Sequence, residues 1–495
     1  MPDSDIDLAD TGIAGLDDVT GGGLARGRVF LLEGSPGAGK TTLALQFLMA
    51  GAARAEKVLY ITLSETEDEL RASAESHGWS LEGVDIYELV PPENILDDDQ
   101  QQSLLYSADL ELGETTKRIF EAFEKAMPDR VVLDSLSEIR LLAQSSLRYR
   151  RQILALKHYF AGQGATVLML DDLTSDLNDK TVHSVAHGVI ALEELVREYG
   201  PERRRLRVVK YRGRRFRGGY HDYVIETGGV RVYPRLVSAE HRASFTRDVM
   251  TTDSAELNTL LGGGIERGSS TLILGPAGTG KSLMALSFVV AAIARGERAA
   301  LFVFDEELGL LFDRAKGLGI DMQAMVDTER LIVVQVDAAE LSPGELSTRV
   351  RHCVETTGVR TVLIDSLNGY QAAMPEENSL VLHMHELLQY LNRQGVASFL
   401  TIAQHGLVGD MQSPVDVTYL ADTVILLRYF EALGRVRRAV SVVKKRTGRH
   451  EDTIREFRID DRGITLGEPL IEFQGVLRGV PTLVGDSANL LEAAS

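Results

Sequence analysis

The sequence predicts an α/β fold built twice in tandem, each copy a doubly wound, mostly parallel sheet wrapped by helices. Two observations carry that expectation. The first is internal repetition: the phrase GSPGAGKT at 34–41 returns as GPAGTGKS at 275–282, and both follow a Gly-Gly-Gly turn, a basic residue, a glycine and a short apolar run. Downstream, RVVLDSLSE is answered by TVLIDSLNG and LRVVKYRG by VSVVKKRTG. Lys40 to Lys281, Asp134 to Asp365 and Lys210 to Lys444 are separated by 241, 231 and 234 residues, so the repeat covers most of the chain. The second observation is that short apolar runs alternate with helical stretches inside each copy, the pattern of a parallel sheet with crossover helices.

Taken in order, the first copy offers strands at 29–32, 58–63, 131–134 and 166–170, and the second repeats them at 271–274, 300–304, 361–365 and 398–402. Runs at 206–211 and 439–444 read as edge hairpin strands. The longest apolar run, Leu283 to Ala294, is too short to span a bilayer and directly follows the second glycine loop, so it reads as a buried helix. LDDDQQQS at 96–103 reads as a solvated loop. RLVSAEHRASFTR at 235–247 breaks the apolar pattern, which sets the domains at 1–238 and 239–495.

Composition bounds the function. At 495 residues the chain exceeds what one hydrophobic core holds, and its 44% hydrophobic content supplies a core to each half. A net charge of −19 argues against a nucleic-acid partner or a membrane surface, because phosphate affinity needs neutralising lysines and arginines. The basic run ERRRLRVVKYRGRRFRGGY at 202–220, with three interleaved aromatics, is the local exception, and it reads better as a boundary facing an acidic protomer. Cys353 is the one cysteine, which excludes an internal disulfide and fits a reducing cytoplasm. Residues 1–10 are acidic, unlike the start of a signal peptide. His383 and His385 point apart on a helix and make a poor metal pair.

The two glycine phrases carry the chemistry. G-x-x-x-x-G-K-[ST] between a strand and a helix presents backbone N–H groups and a helix N-terminus to phosphates. The expected nucleotide-binding residues are Gly34, Ser35, Pro36, Gly37, Ala38, Gly39, Lys40, Thr41 and Thr42, then Gly275, Pro276, Ala277, Gly278, Thr279, Gly280, Lys281, Ser282 and Leu283. Lys40 and Lys281 would reach the β- and γ-phosphates of ATP. Thr41 and Ser282 would give a hydroxyl to Mg²⁺, with Asp134 and Asp365 supplying a carboxylate from the end of a neighbouring strand. Glu65, and the pair Asp305 and Glu306, follow the second strand of each copy, where a group that orients the attacking water belongs.

Together the Gly-Gly-Gly turns, the acidic residues after strand two, Asp-Ser-Leu and the late Lys-x-Arg resemble the KaiC family of double RecA-like ATPases. The resemblance extends over almost the whole chain and is closest at 421–459. It implies a homohexameric double ring with ATP at subunit boundaries, regulatory protein partners, and Lys210, Arg212, Lys444 and Arg446 reaching into the neighbour's site. It also implies serine/threonine autokinase activity in the second domain, its acceptor pair falling on Thr418-Tyr419, with Ser413 nearby as a second hydroxyl. Where the family carries two glutamates after strand two, this chain has Ser64-Glu65 and Asp305-Glu306, so the first site lacks one carboxylate. From the residues alone, a nucleic-acid-dependent motor and a nucleotide-gated scaffold stay open as other classes.

Overall fold

A computed structural model describes residues 7–89, 104–172, 181–196, 200–304, 306–373, 377–404, 418–460, 463–478 and 482–484. Asp305, Ser413 and the loop at 96–103 lie outside the described residues. The chain divides into two compact units, Met1–Arg235 and Leu236–Ser495.

In the first unit β1 (Leu8–Ala9), α1 (Leu16–Thr20) and β2 (Leu24–Ala25) lead into β3 (Val29–Gly34), α2 (Lys40–Ala52), β4 (Val58–Thr62), α3 (Glu67–Ser76) and β5 (Asp85–Glu88). Then come α4 (Leu104–Ala126), β6 (Arg130–Asp134), α5 (Leu136–Ala143), α6 (Ser146–Gly162), β7 (Thr166–Asp172), α7 (Thr181–Val185) and β8 (Gly188–Leu195). Strands β9 (Arg203–Tyr211), β10 (His221–Glu226) and β11 (Gly229–Tyr233) close it. The sheet order is β11-β10-β9-β8-β3-β7-β6-β4-β5, with β8 through β5 parallel and the last three strands antiparallel.

The second unit repeats this plan with β12 (Val249–Met250), α8 (Ala255–Leu260), β13 (Ile265–Glu266), β14 (Ser270–Gly275), α9 (Lys281–Ala294), β15 (Ala299–Val303), α10 (Leu308–Lys316), α11 (Met322–Asp327) and β16 (Leu331–Gln335). It continues through α12 (Pro343–Glu355), β17 (Thr361–Asp365), α13 (Leu367–Ala373), α14 (Glu377–Arg393), β18 (Ala397–Ala403), β19 (Thr423–Ala432), β20 (Arg435–Lys445), β21 (Ile454–Asp460) and β22 (Gly463–Pro469), and ends in the short pair β23 (Phe473–Gln474) and β24 (Thr482–Leu483). Its order, β16-β15-β17-β18-β14-β19-β20-β21-β22, matches the first sheet strand for strand. Both are tandem RecA-like α/β domains.

The continuous apolar reading of the central strands follows from burial on both faces. Phe30 and Leu32 enter one core of the first unit while Val29 and Leu31 enter the other; Leu272 and Leu274 part from Ile273 in the same way in the second. The hairpin strands depart from expectation: β9 and β20 are interior, because β10 and β11, or β21 and β22, continue the sheet beyond them. Those outer strands are short and charged, which hid them from a reading based on apolar runs. Leu283–Ala294 is the body of α9, and among the described residues no helix is long and apolar enough to cross a membrane.

Candidate functional site

Each glycine phrase bridges a sheet strand and a helix, β3 to α2 and β14 to α9. The helix N-caps, Gly39 and Gly280, sit at φ 85° and 103° and make no side-chain cap, whereas α3, α6, α8, α10, α11 and α12 are capped by a side chain. A Cβ at Gly39 would come within 2.5 Å of Ile225 Cδ1, and one at Gly280 would collide with Ile459 Cδ1, so glycine is needed for space as well as for φ. The result in both units is an uncapped helix N-terminus facing the carboxyl edge of the sheet, where N–H groups and the helix dipole favour an anion.

In the first unit Lys40 is buried, and its Nζ donates to the carbonyls of Gly34 (3.0 Å) and Ser35 (2.9 Å) and pairs with Asp172 Oδ1 at 2.6 Å. Asp134, at the end of β6, is buried and accepts from Tyr60 OH (2.5 Å) and, at the limit of a hydrogen bond, from Thr41 Oγ1 (3.5 Å). Burial pushes the Asp134 carboxyl above its ordinary range, against the pull of the Tyr60 hydroxyl. Glu65 is raised too, first by burial and then by the charges of Asp134, Glu69 and Asp172. Its backbone is fixed at the strand end, where Glu65 N–H donates to Thr62 Oγ1 (3.0 Å), which donates in turn to the Glu65 carbonyl (2.7 Å). Lys40, Thr41, Asp134 and Glu65 therefore form one cluster at the carboxyl edge of the sheet. Tyr60 and Asp172 belong to it as well and were missed from sequence; the signal was an acidic pair, Asp171-Asp172, closing a strand expected to stop at Leu170.

In the second unit Lys281 is buried with its Nζ on the Pro276 carbonyl (2.8 Å), and burial lowers its pKa, with Asp365 acting in the opposite sense. Ser282 and Asp365 line one cavity with Leu283 and Arg314. Asp365 accepts from Thr401 Oγ1 at 2.5 Å, a donor on β18 in place of the tyrosine used by Asp134. Register equates Thr62 with Val303, since each pairs with the strand-end aspartate, and hence Glu65 with Glu306. Glu306 differs in engagement, pairing with Arg314 at 2.8 Å.

The late cations occupy matching places. Lys210 Nζ donates to the His183 carbonyl and Arg212 Nη2 to that of Ser184 (2.7 Å); Lys444 Nζ donates to Thr418 (2.8 Å) and Ala421 (2.7 Å), and Arg446 Nη2 to Tyr419 (2.7 Å). Both pairs hold the segment that leads into the strand beside β3 or β14, and Thr418-Tyr419 corresponds to His183-Ser184. The basic run is largely matched within its own unit: Arg204 pairs with Glu194 (3.0 Å), Arg205 with Glu193 (2.9 Å), and Arg205 lies 3.9 Å over the Tyr220 ring. His383 is shared between Ser347 Oγ (2.8 Å) and Tyr370 OH (2.5 Å), while His385 is exposed.

Two RecA-like domains with a glycine phrase at each strand-to-helix turn define a tandem P-loop ATPase. The model of the KaiC ATPase family matches residues 9–237 and 250–470, and the chain belongs to that family. Among curated relatives it is 28% identical over 493 residues to the circadian clock protein KaiC3 of Synechocystis sp., covering 97% of this chain and 96% of the relative. It is 29% identical to KaiC2 of the same organism, covering 95% and 83%, and 28% identical to the circadian clock oscillator protein KaiC of Synechococcus elongatus, covering 96% and 92%.

Proposed function

We propose that the chain binds ATP with Mg²⁺ at both P-loops, hydrolyses it, and works in the cytoplasm as a regulatory homohexameric ring, residues 1–238 and 239–495 forming its two ATPase domains. The observation that carries this reading is the convergence, in both units, of a buried lysine, a helix-start hydroxyl and a strand-end aspartate at an uncapped helix N-terminus. Among the described residues no cluster of three or more His, Cys, Asp or Glu could hold a metal by itself. A hydroxyl with one carboxylate fits a cation whose remaining ligands are phosphate oxygens and water, so Thr41 with Asp134, and Ser282 with Asp365, would hold Mg²⁺. That ion would supply charge neutralisation on the phosphates. Lys40 and Lys281 would bind the β- and γ-phosphates, Glu65, and Asp305 with Glu306, would orient the attacking water, and Lys210, Arg212, Lys444 and Arg446 would neutralise a neighbour's γ-phosphate.

A second reading, autophosphorylation on Thr418 or Ser413, draws support from the cations that hold the Thr418 segment by its backbone carbonyls. The test of the main reading is phosphate release together with nucleotide stoichiometry in Lys40→Ala and Lys281→Ala. Each variant should bind one nucleotide per chain where the parent binds two. Two nucleotides in either variant would reject the assignment.

A further inference from the structure

We propose that Asp172 competes with the phosphates of ATP for Lys40 at the first site, so that binding there displaces a carboxylate of the same chain, while the second site binds without that exchange. The inference rests on reading both P-loops as nucleotide sites. A lysine ammonium has three N–H donors. Those of Lys40 are matched by three acceptors, the carbonyls of Gly34 and Ser35 at 3.0 and 2.9 Å and Asp172 Oδ1 at 2.6 Å. The two carbonyls belong to the loop itself and orient the side chain. The third acceptor arrives from the end of β7 and is chemically the same kind of group as a phosphate oxygen, an anionic acceptor making a charge-assisted hydrogen bond.

Register shows why the second unit differs. Gly34 pairs with Asp172 across β3 and β7, and Gly275 pairs with Ala403 across β14 and β18. A methyl group accepts nothing. Lys281 has the Pro276 carbonyl at 2.8 Å and, among the described residues, no carboxylate ion pair.

The experiment uses the full chain with one P-loop disabled and radiolabelled Mg-ATP in equilibrium dialysis. In the Lys281→Ala background, Asp172→Asn and Asp172→Ala should tighten first-site Kd about tenfold, the difference between a charged and a neutral hydrogen-bond competitor. In the Lys40→Ala background, Ala403→Asp should weaken the second site by a similar factor. With no nucleotide present, mass spectrometry should find Lys40 acylated faster by acetic anhydride once Asp172 is replaced. Tighter binding cannot come from a damaged fold, so unchanged or weaker Kd in both Asp172 variants overturns the proposal. If the Lys281→Ala protein binds no ATP with or without Asp172, while Lys40 acylation still rises, the nucleotide reading of the first loop falls and the internal lysine–carboxylate pair stands.

Discussion

Replacing Glu56 by glutamine tests how the first site is held together. Arg130 opens β6, whose last residue is Asp134, and its guanidinium is fully buried. It donates to Glu56 (2.5 and 3.2 Å), to the Asp10 carbonyl (2.7 Å) and carboxylate (3.1 Å), and to the Phe47 carbonyl on α2 (2.9 Å). This network fixes the spacing between the helix that carries Lys40 and Thr41 and the strand that carries Asp134. Burial alone would raise the Glu56 carboxyl, but hydrogen bonds from Arg130 and Arg26 win and bring it from 4.5 down to about 2. At about 1.4 kcal/mol per unit that shift is worth roughly 3 kcal/mol. Because the folded value lies below the unfolded one, the stabilisation is complete above pH 4.5 and is lost as the pH falls toward 2. Trp79 is the only tryptophan and packs against the core of the first unit, so its fluorescence during urea unfolding reports that unit. Glu56→Gln should lose roughly 3 kcal/mol at pH 7, with the gap to the parent closing at acid pH. A gap that stays constant down to pH 3, or one under about 1 kcal/mol at pH 7, would refute the argument.

Three further outcomes are expected. Gly280→Val should abolish nucleotide binding at the second site, since φ of 103° and the Ile459 side chain both exclude a branched residue; retained binding by equilibrium dialysis would contradict it. Light scattering should give a hexamer with Mg-ATP and smaller species without nucleotide, and Lys210→Ala with Lys444→Ala should weaken that assembly; a monomer in every condition would reject the shared-site reading. Incubation with Mg-ATP followed by mass spectrometry should place phosphate on Thr418 or Ser413, and phosphate on Tyr419 would overturn the acceptor assignment, because a phenolic oxygen reaches much further from the backbone than a threonine hydroxyl.

The tandem sheets were legible because their central strands are buried on both faces and so spell continuous apolar runs, as in VVLD and TVLID. Strands β10 and β11 were not legible, since HDYVIE and GVRVY are short and broken by charged residues, so neither spells a continuous apolar run. The two strand-to-helix glycine turns were readable from their spacing. Tyr60 and Thr401 were not, because each sits inside an apolar strand and gains its role only when a parallel neighbour brings an aspartate beside it. Lys210 and Lys444 could be matched by repetition, yet their hold on backbone carbonyls has no signature in sequence at all.

The two copies diverge at the strand ends beside nearly identical loops. In the first unit three acidic residues at those ends have built-in partners: Glu33 with His183 (2.7 Å), Asp171 with Arg140 (2.5 Å) and Asp172 with Lys40 (2.6 Å). Register puts Leu274, Ile402 and Ala403 in their places in the second unit. A buried carboxylate survives only with a partner; His183 and Arg140 go with their anions, to Thr418 and Gln371, whereas Lys281 keeps the cation of Lys40 without the carboxylate. One consequence concerns the segment that Lys210 and Lys444 hold. In the first unit His183 is also tied to the sheet through Glu33, whereas Leu274 cannot accept a hydrogen bond from the corresponding Thr418.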